Sequence, residues 1–171
     1  MPRVYVSIGS NVRREANIRA AVAGLGARYG GLQLSSVYET PAEGFTGAHF
    51  YNLVAGFSCA EPPAVLCRNL RALEEACGRR RGGPRFADRT LDLDLLLYGE
   101  AVIDRDGLRI PREEITRYAF VLGPLAEIAG DLCHPVSGLS FAELWRRFPA
   151  RQKKRLVRVP FAFHDAAPSA E

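Results

Sequence analysis

Apolar and polar residues alternate without a break from Leu91 to Leu95, with leucines at 91, 93 and 95 and aspartates at 92 and 94. Side chains on a strand face opposite ways in turn, so the pattern predicts a β-strand with both aspartates on one face, their Cα atoms roughly 6.6–6.8 Å apart. Residues 3–8, rich in β-branched side chains, predict a first strand, and Gly9-Ser10-Asn11 a turn. Ile18, Ala21, Val22 and Leu25 then recur at helical spacing, and Gly30-Gly31 ends that segment. Residues 32–38 predict a second strand, stopped by Pro41, and residues 50–57 a third after a long loop. Pro62-Pro63 opens a second amphipathic helix with Val65, Leu66, Leu70 and Leu73 on one face, proline being tolerated in a first turn. A short strand near 108–110 and a helix over about 120–129 follow. Over 140–148, Ser140 and Glu143 stand in capping-box spacing.

The order β-α-β-β-α-β predicts an α+β fold, a ferredoxin-like antiparallel sheet with helices on one face and extra C-terminal elements. The 171 residues suit one domain over 1–160, with an Ala/Pro-rich frayed tail over 161–171. An apolar fraction of 47% and a charged fraction of 25% are those of an ordinary globular chain. The net charge of +4 mildly favours anionic ligands. Cys59, Cys67, Cys77 and Cys133 show no zinc-type spacing, and Cys67 and Cys77 read as reduced thiols in a helical pattern. The N-terminal apolar run is only strand-length and no stretch reaches membrane-spanning length, so a cytoplasmic protein with no membrane partner is expected; oligomeric state stays open, with a monomer favoured.

Two aspartates on one strand face repel each other, and a divalent cation is the simplest remedy. Hard carboxylate oxygens suit Mg²⁺, which completes its shell with water and phosphate. Just upstream lies the Gly/Pro-rich run Arg79-Arg80-Arg81-Gly82-Gly83-Pro84-Arg85, then Phe86 and Arg89. Guanidinium forks beside a carboxylate pair suit metal–nucleotide phosphoryl transfer. Arginine is common throughout this chain, supplying 21 of the 23 basic residues, so the weight falls on the combination and not on any single arginine. His49, His134 and His164 form no catalytic or metal cluster, and His134-Pro135 reads as a turn.

Arg89-Thr90-Leu91-Asp92-Leu93-Asp94 resembles the signature of the hydroxymethyldihydropterin pyrophosphokinases of folate biosynthesis. Gly9-Ser10-Asn11, Tyr38-Glu39-Thr40-Pro41, Phe50-Tyr51-Asn52, Leu73-Glu74, Gly78-Arg79 and Phe120-Val121-Leu122 agree in the same order, from about residue 3 to 148. The resemblance implies transfer of pyrophosphate from ATP, the co-substrate, to the hydroxymethyl oxygen of 6-hydroxymethyl-7,8-dihydropterin, with release of AMP. It implies two Mg²⁺ ions held by Asp92 and Asp94, and phosphate contacts from Arg79 and Arg89. It implies a pterin sandwich of Phe50 and Phe120, with Asn52 reading the ring edge and Thr40 opening a loop of backbone contacts. Tyr51 should face away from that site. Glu74 matches a position near the nucleotide, an auxiliary that a helix surface would leave solvated. Phe86 stands where the family carries a larger aromatic; it either caps the closed site or packs on the core.

The match departs from the family pattern after Pro111, where Arg112 replaces histidine, and at Tyr118, where an arginine is displaced by one to Arg117. Either Arg112, Arg117 and Tyr118 make the ATP contacts from shifted positions, or ATP is bound differently. The competing reading is a ferredoxin-like nucleic-acid-binding module without catalysis, which basic charge alone would permit. Readers of that kind carry aromatics on their central strands, whereas Leu-Asp-Leu-Asp repels phosphate unless metal intervenes. A small ligand-sensing domain is a third reading, and the arginine run beside the acidic strand argues against it. No nucleic-acid partner is expected.

Overall fold

In the computed structural model, which describes residues 1–78 and 90–164, strand β1 spans Arg3–Ser10 and a short turn leads to helix α1, Arg14–Tyr29. Ile18, Ala21, Val22 and Leu25 are its buried residues, as their spacing requires. Gly30 ends it at φ +80°, a conformation glycine adopts without a Cβ penalty.

The strand expected over 32–38 is broken into β2, Gln33–Leu34, and β3, Val37–Thr40. At the break, Ser35 Oγ accepts from the Val54 N–H at 2.9 Å. The Glu127 carboxylate accepts from the Ser36 N–H at 3.0 Å and the Ser36 hydroxyl at 2.7 Å. Side-chain bonds thus stand in for ladder bonds where the backbone turns. Strand β4 spans Phe50–Ser58, helix α2 Pro63–Ala76 and strand β5 Asp92–Tyr98. On α2, Leu66 and Leu70 are buried and Val65 and Leu73 half-buried. Strands β6 (Ile103–Arg105) and β7 (Leu108–Ile110) form a separate hairpin. Helices α3 (Glu114–Arg117), α4 (Ala119–Ala129), α5 (Phe141–Arg147) and α6 (Ala150–Lys153) follow, then strand β8 (Val157–Val159). Ser140 caps α5, its hydroxyl accepting from the Glu143 N–H at 3.1 Å.

The main sheet runs β5-β1-β4-β3-β8, with β2 also paired to β4, and every pairing is antiparallel. Its first four strands have the order of the ferredoxin-like βαββαβ fold. Val4, Val6, Ile8, Leu53, Ala55, Leu93 and Leu95 join α1 and α2 in one core. Tyr5, Val54, Leu96 and Leu97 face the other way and join α4 and Phe141 in a second. Helices therefore cover both faces, not the one face expected. The reason lies in α4, whose Ala119, Val121, Leu122, Gly123, Pro124, Leu125 and Ala129 are all buried. A helix that is apolar nearly all round needs cover on both sides, and the sheet and α5 supply it.

The chain end also differs from expectation. Phe161 and Phe163, placed in a frayed tail by composition, pack against the first core, and Ala162 O accepts from Arg19 Nε at 2.8 Å. Among the described residues, no helix is long and apolar enough to cross a membrane.

Candidate active site

The strand register brings the polar residues of four strands onto one face. Asp92 pairs with Gly9 and Asp94 with Ser7 across β5 and β1. Gly9 pairs in turn with Asn52 on β4, and Thr40 on β3 with Phe50. Alternation then turns Leu93 and Leu95 to the opposite core and both aspartates to this face. Helix α4 covers only part of it. The remainder is the floor of a cavity of about 290 Å³, walled by the β3–β4 loop through Pro41 and Phe45 and by Arg112, Tyr118 and Phe120.

Gly9-Ser10-Asn11 holds the edge of this floor. A Cβ on Gly9 would lie 2.9 Å from Asn52 Oδ1, so glycine is what lets the amide lie across the strand. Ser10 Oγ donates to Thr90 O at 2.5 Å, tying the turn to the start of β5. Asn11 Nδ2 donates to Ala48 O at 3.0 Å and anchors the far end of the β3–β4 loop. Asn52 is buried, and its Nδ2 donates to Thr40 Oγ1 at 2.8 Å. That answers the requirement of a partner for a polar residue inside an apolar strand.

Two aromatic faces meet the cavity. Phe50 lies on its β4 side, with Phe45 edge-on to it at a centroid separation of 6.4 Å. Phe120 lies on the α4 side, stacked on Tyr118 at 5.1 Å and 19°. Tyr51 turns the other way, under the Arg14 guanidinium at 3.8 Å and against Phe161.

The acidic end is electrically strained. Loss of solvent and the neighbouring Asp92, Glu74 and Glu114 push the Asp94 carboxyl up to about 7, against the pull of Arg112. Arg112 Nη2 lies 3.3 Å from Asp94 Oδ1 and its Nε 3.2 Å from Glu114 Oε2. The carboxylate pair suits Mg²⁺, which takes one or two protein carboxylates and draws its other ligands from water and phosphate. Among the described residues, no group of three or more His, Cys, Asp or Glu side chains forms a closed metal cage.

The family model described as 7,8-dihydro-6-hydroxymethylpterin-pyrophosphokinase matches residues 5–130, which carry nearly all of this cavity. The chain belongs to that family. The pyrophosphokinase assignment agrees with a relative from Pseudomonas aeruginosa, a 2-amino-4-hydroxy-6-hydroxymethyldihydropteridine pyrophosphokinase. It is 35% identical over 158 residues, covering 90% of this chain and 96% of that one. A folic acid synthesis protein of Pneumocystis carinii is 33% identical over 172 residues, covering 95% of this chain. Only 22% of that longer protein is spanned. The crystal structure of Plasmodium falciparum HPPK-DHPS, wild type, superposes with a TM-score of 0.70 at 14% identity, over 90% of this chain and 46% of that one. At that identity the likeness speaks for the fold.

Of the site residues expected for a pyrophosphokinase, Asp92, Asp94, Thr40, Phe50, Asn52, Phe120, Tyr118 and Arg112 all line the one cavity. Arg79, Phe86 and Arg89 lie outside the described residues. Arg117 does not reach the cavity; it points to Glu113 at 3.5 Å and lines a neighbouring hollow. Glu74 is buried, not solvated, and its carboxylate accepts from the Leu93 N–H at 3.3 Å. The helix surface that should have exposed it is the surface packed on β5. Phe45, Gly9 and Glu114 also line the cavity without having been expected as individual site residues. Each gains its place through a partner distant in sequence or loop geometry, and only the glycine, in Gly9-Ser10-Asn11, carried a local signal.

Proposed function

We propose that this chain transfers pyrophosphate from ATP to the hydroxymethyl oxygen of 6-hydroxymethyl-7,8-dihydropterin, releasing AMP. The observation that carries the reading is the shared cavity. Two carboxylates on one strand face, a buried amide and two aromatic rings stand around a single floor within the family's matched segment.

Phe50 and Phe120 would flank the flat pterin, where ring contact gives both affinity and orientation. Because Asn52 Nδ2 is engaged by Thr40, Oδ1 is left as the acceptor for the pterin's N–H edge. Asp92 and Asp94 would hold two Mg²⁺ ions brought in with the nucleotide. Bound there, Mg²⁺ would supply neutralisation of phosphate charge and a more acidic attacking hydroxyl. The fit rests on the two carboxylates of one strand face that line the cavity together, where burial and then Asp92 raise the Asp94 carboxyl. Arg112 is positioned to meet a phosphate oxygen, and Arg79 and Arg89 are proposed as further clamps on the transferred group. Glu74 acts from beneath, bonded to the β5 backbone between the two aspartates.

The test is AMP release from ATP, Mg²⁺ and the hydroxymethyldihydropterin. Asp94→Asn should lower turnover by at least about 10²–10³-fold, the range seen when a group aimed at developing charge is removed, while circular dichroism stays unchanged. Undiminished turnover in a folded Asp94→Asn protein would end the proposal. A nucleic-acid-binding role finds less support, because α4 covers the sheet face such modules leave open and the exposed remainder is acidic.

A further inference from the structure

Arg112, proposed above to meet a phosphate oxygen, already has two carboxylate neighbours in the cavity. Its backbone N–H is fixed to β5 by a bond to Leu96 O at 3.0 Å, so the side chain leaves the backbone beside Asp94. Its guanidinium then lies between two carboxylates, 3.3 Å from Asp94 and 3.2 Å from Glu114. The Nε atom is buried yet makes no hydrogen bond, since the Glu114 oxygen lies off the N–H direction. Such a group is held by charge more than by geometry, and charge-held contacts are easily exchanged. A divalent cation held by Asp94 would have to compete with this guanidinium for the carboxylate.

We propose that Arg112 is the resting counter-ion of Asp94, a positioning residue that keeps bare divalent cation out of the site. It would release Asp94 only when a nucleotide's phosphates offer the guanidinium a new partner. The consequence is a coupled order of assembly. Metal arrives with the nucleotide, and neither metal alone nor a metal-free triphosphate fills the site well. Glu114 is the tether in this account. Its charge, 3.2 Å from Nε, favours keeping the guanidinium in the cavity while Nη2 turns from Asp94 to phosphate.

This inference rests on the pyrophosphokinase reading above, and its test separates the two. Mn²⁺ binding is measured by the loss of the free-ion electron paramagnetic resonance signal, at mildly alkaline pH so that protons do not compete. It is measured alone and again with an unhydrolysable ATP analogue, in wild type, Arg112→Ala, Arg112→Met and Asp94→Asn. The expected result is that Arg112→Ala binds Mn²⁺ alone roughly tenfold more tightly than wild type, the low end of what an adjacent guanidinium does to a carboxylate's affinity for a cation. The gain from adding the analogue shrinks by a similar factor. Arg112→Met, uncharged at any pH and of similar length, should behave like Arg112→Ala, which guards against a misfolded alanine variant. If Mn²⁺ alone binds both variants no better than wild type, the counter-ion role is overturned while the pyrophosphokinase reading stands. If the analogue brings no Asp94-dependent Mn²⁺ into wild type, the parent reading fails and this inference with it.

Discussion

At the scale of single residues, Gly9 and Asp94 set the chemistry of the floor. Gly9 leaves room for Asn52 Oδ1, which a Cβ would meet at 2.9 Å. Gly9→Ala should tip the amide off its Thr40 bond. We expect a raised KM for the pterin with the KM for ATP little changed, measured by varying each substrate in turn; equal effects on both would contradict the placement. Asp94 carries a pH signature as well. Its carboxyl is pushed from 3.8 up to about 7 in the folded chain, by burial and then by Asp92. Between those values the folded chain holds a proton that the unfolded chain has lost, so stability falls as pH rises across that window. The contribution is fully present below the unfolded value and is lost through the folded one. In metal-free buffer, Asp94→Asn should therefore match wild type at low pH and melt higher above neutrality. The gain is about 2–4 °C for each kcal/mol of relieved repulsion. Parallel melting curves across the whole range would show that the carboxylate is not strained.

At the scale of elements, Glu127 joins α4 to the kink between β2 and β3. Burial raises its carboxyl, but donors from Ser36 and Tyr38 outweigh that and hold it below the ordinary value. Tyr38 Oη donates at 2.6 Å, and the tyrosine is in turn pushed up to about 12 by burial and then by this carboxylate. The side chain is exposed, so Glu127→Ala should cost only about 1 kcal/mol in urea unfolding. A depressed carboxyl contributes above its unfolded value and stops contributing as pH falls through its folded one, so the gap to wild type should close in acid. A gap that is constant with pH would assign the loss to packing instead. The same element shows what a sequence can and cannot disclose. The alternation from Leu91 to Leu95 and the spacing of Ile18, Ala21, Val22 and Leu25 are local, and each predicted its face correctly. The break at Ser35-Ser36 depends on a carboxylate 91 residues away, so 32–38 reads as one strand. Arg112 and Glu114 meet Asp94 only because the β6–β7 hairpin returns the chain to β5, and Glu74 is buried only because α2 lies on that strand. Spacing within one element carries none of this.

At the scale of the molecule, the C-terminal strand extends the sheet past β3. β8 pairs with β3 in the register Val37–Val159, Tyr38–Arg158 and Glu39–Val157, covering an edge that would otherwise be open. Phe161 then reaches round to Tyr51, with ring centroids 6.1 Å apart, and to the Arg19 guanidinium at 5.2 Å. These contacts lie on the α1 side of the sheet, whereas the cavity opens on the α4 side. Stability and catalysis should therefore separate on truncation. A chain ending at Leu156 loses the β8 ladder and the partial burial of Phe161 and Phe163, a loss of about 2 kcal/mol or more by burial of an aromatic side chain. We expect a lower urea midpoint and concentration-dependent association through the bared β3 edge, read by size-exclusion chromatography. The kcat of the folded monomer should stay near that of the full chain, because Asp92, Asp94, Asn52, Phe50 and Phe120 keep their supports in β1, β4, β5 and α4. Loss of kcat at an unchanged urea midpoint would show that the C-terminal strand reaches the site through β3 and Thr40, and that the two faces of the sheet are not independent.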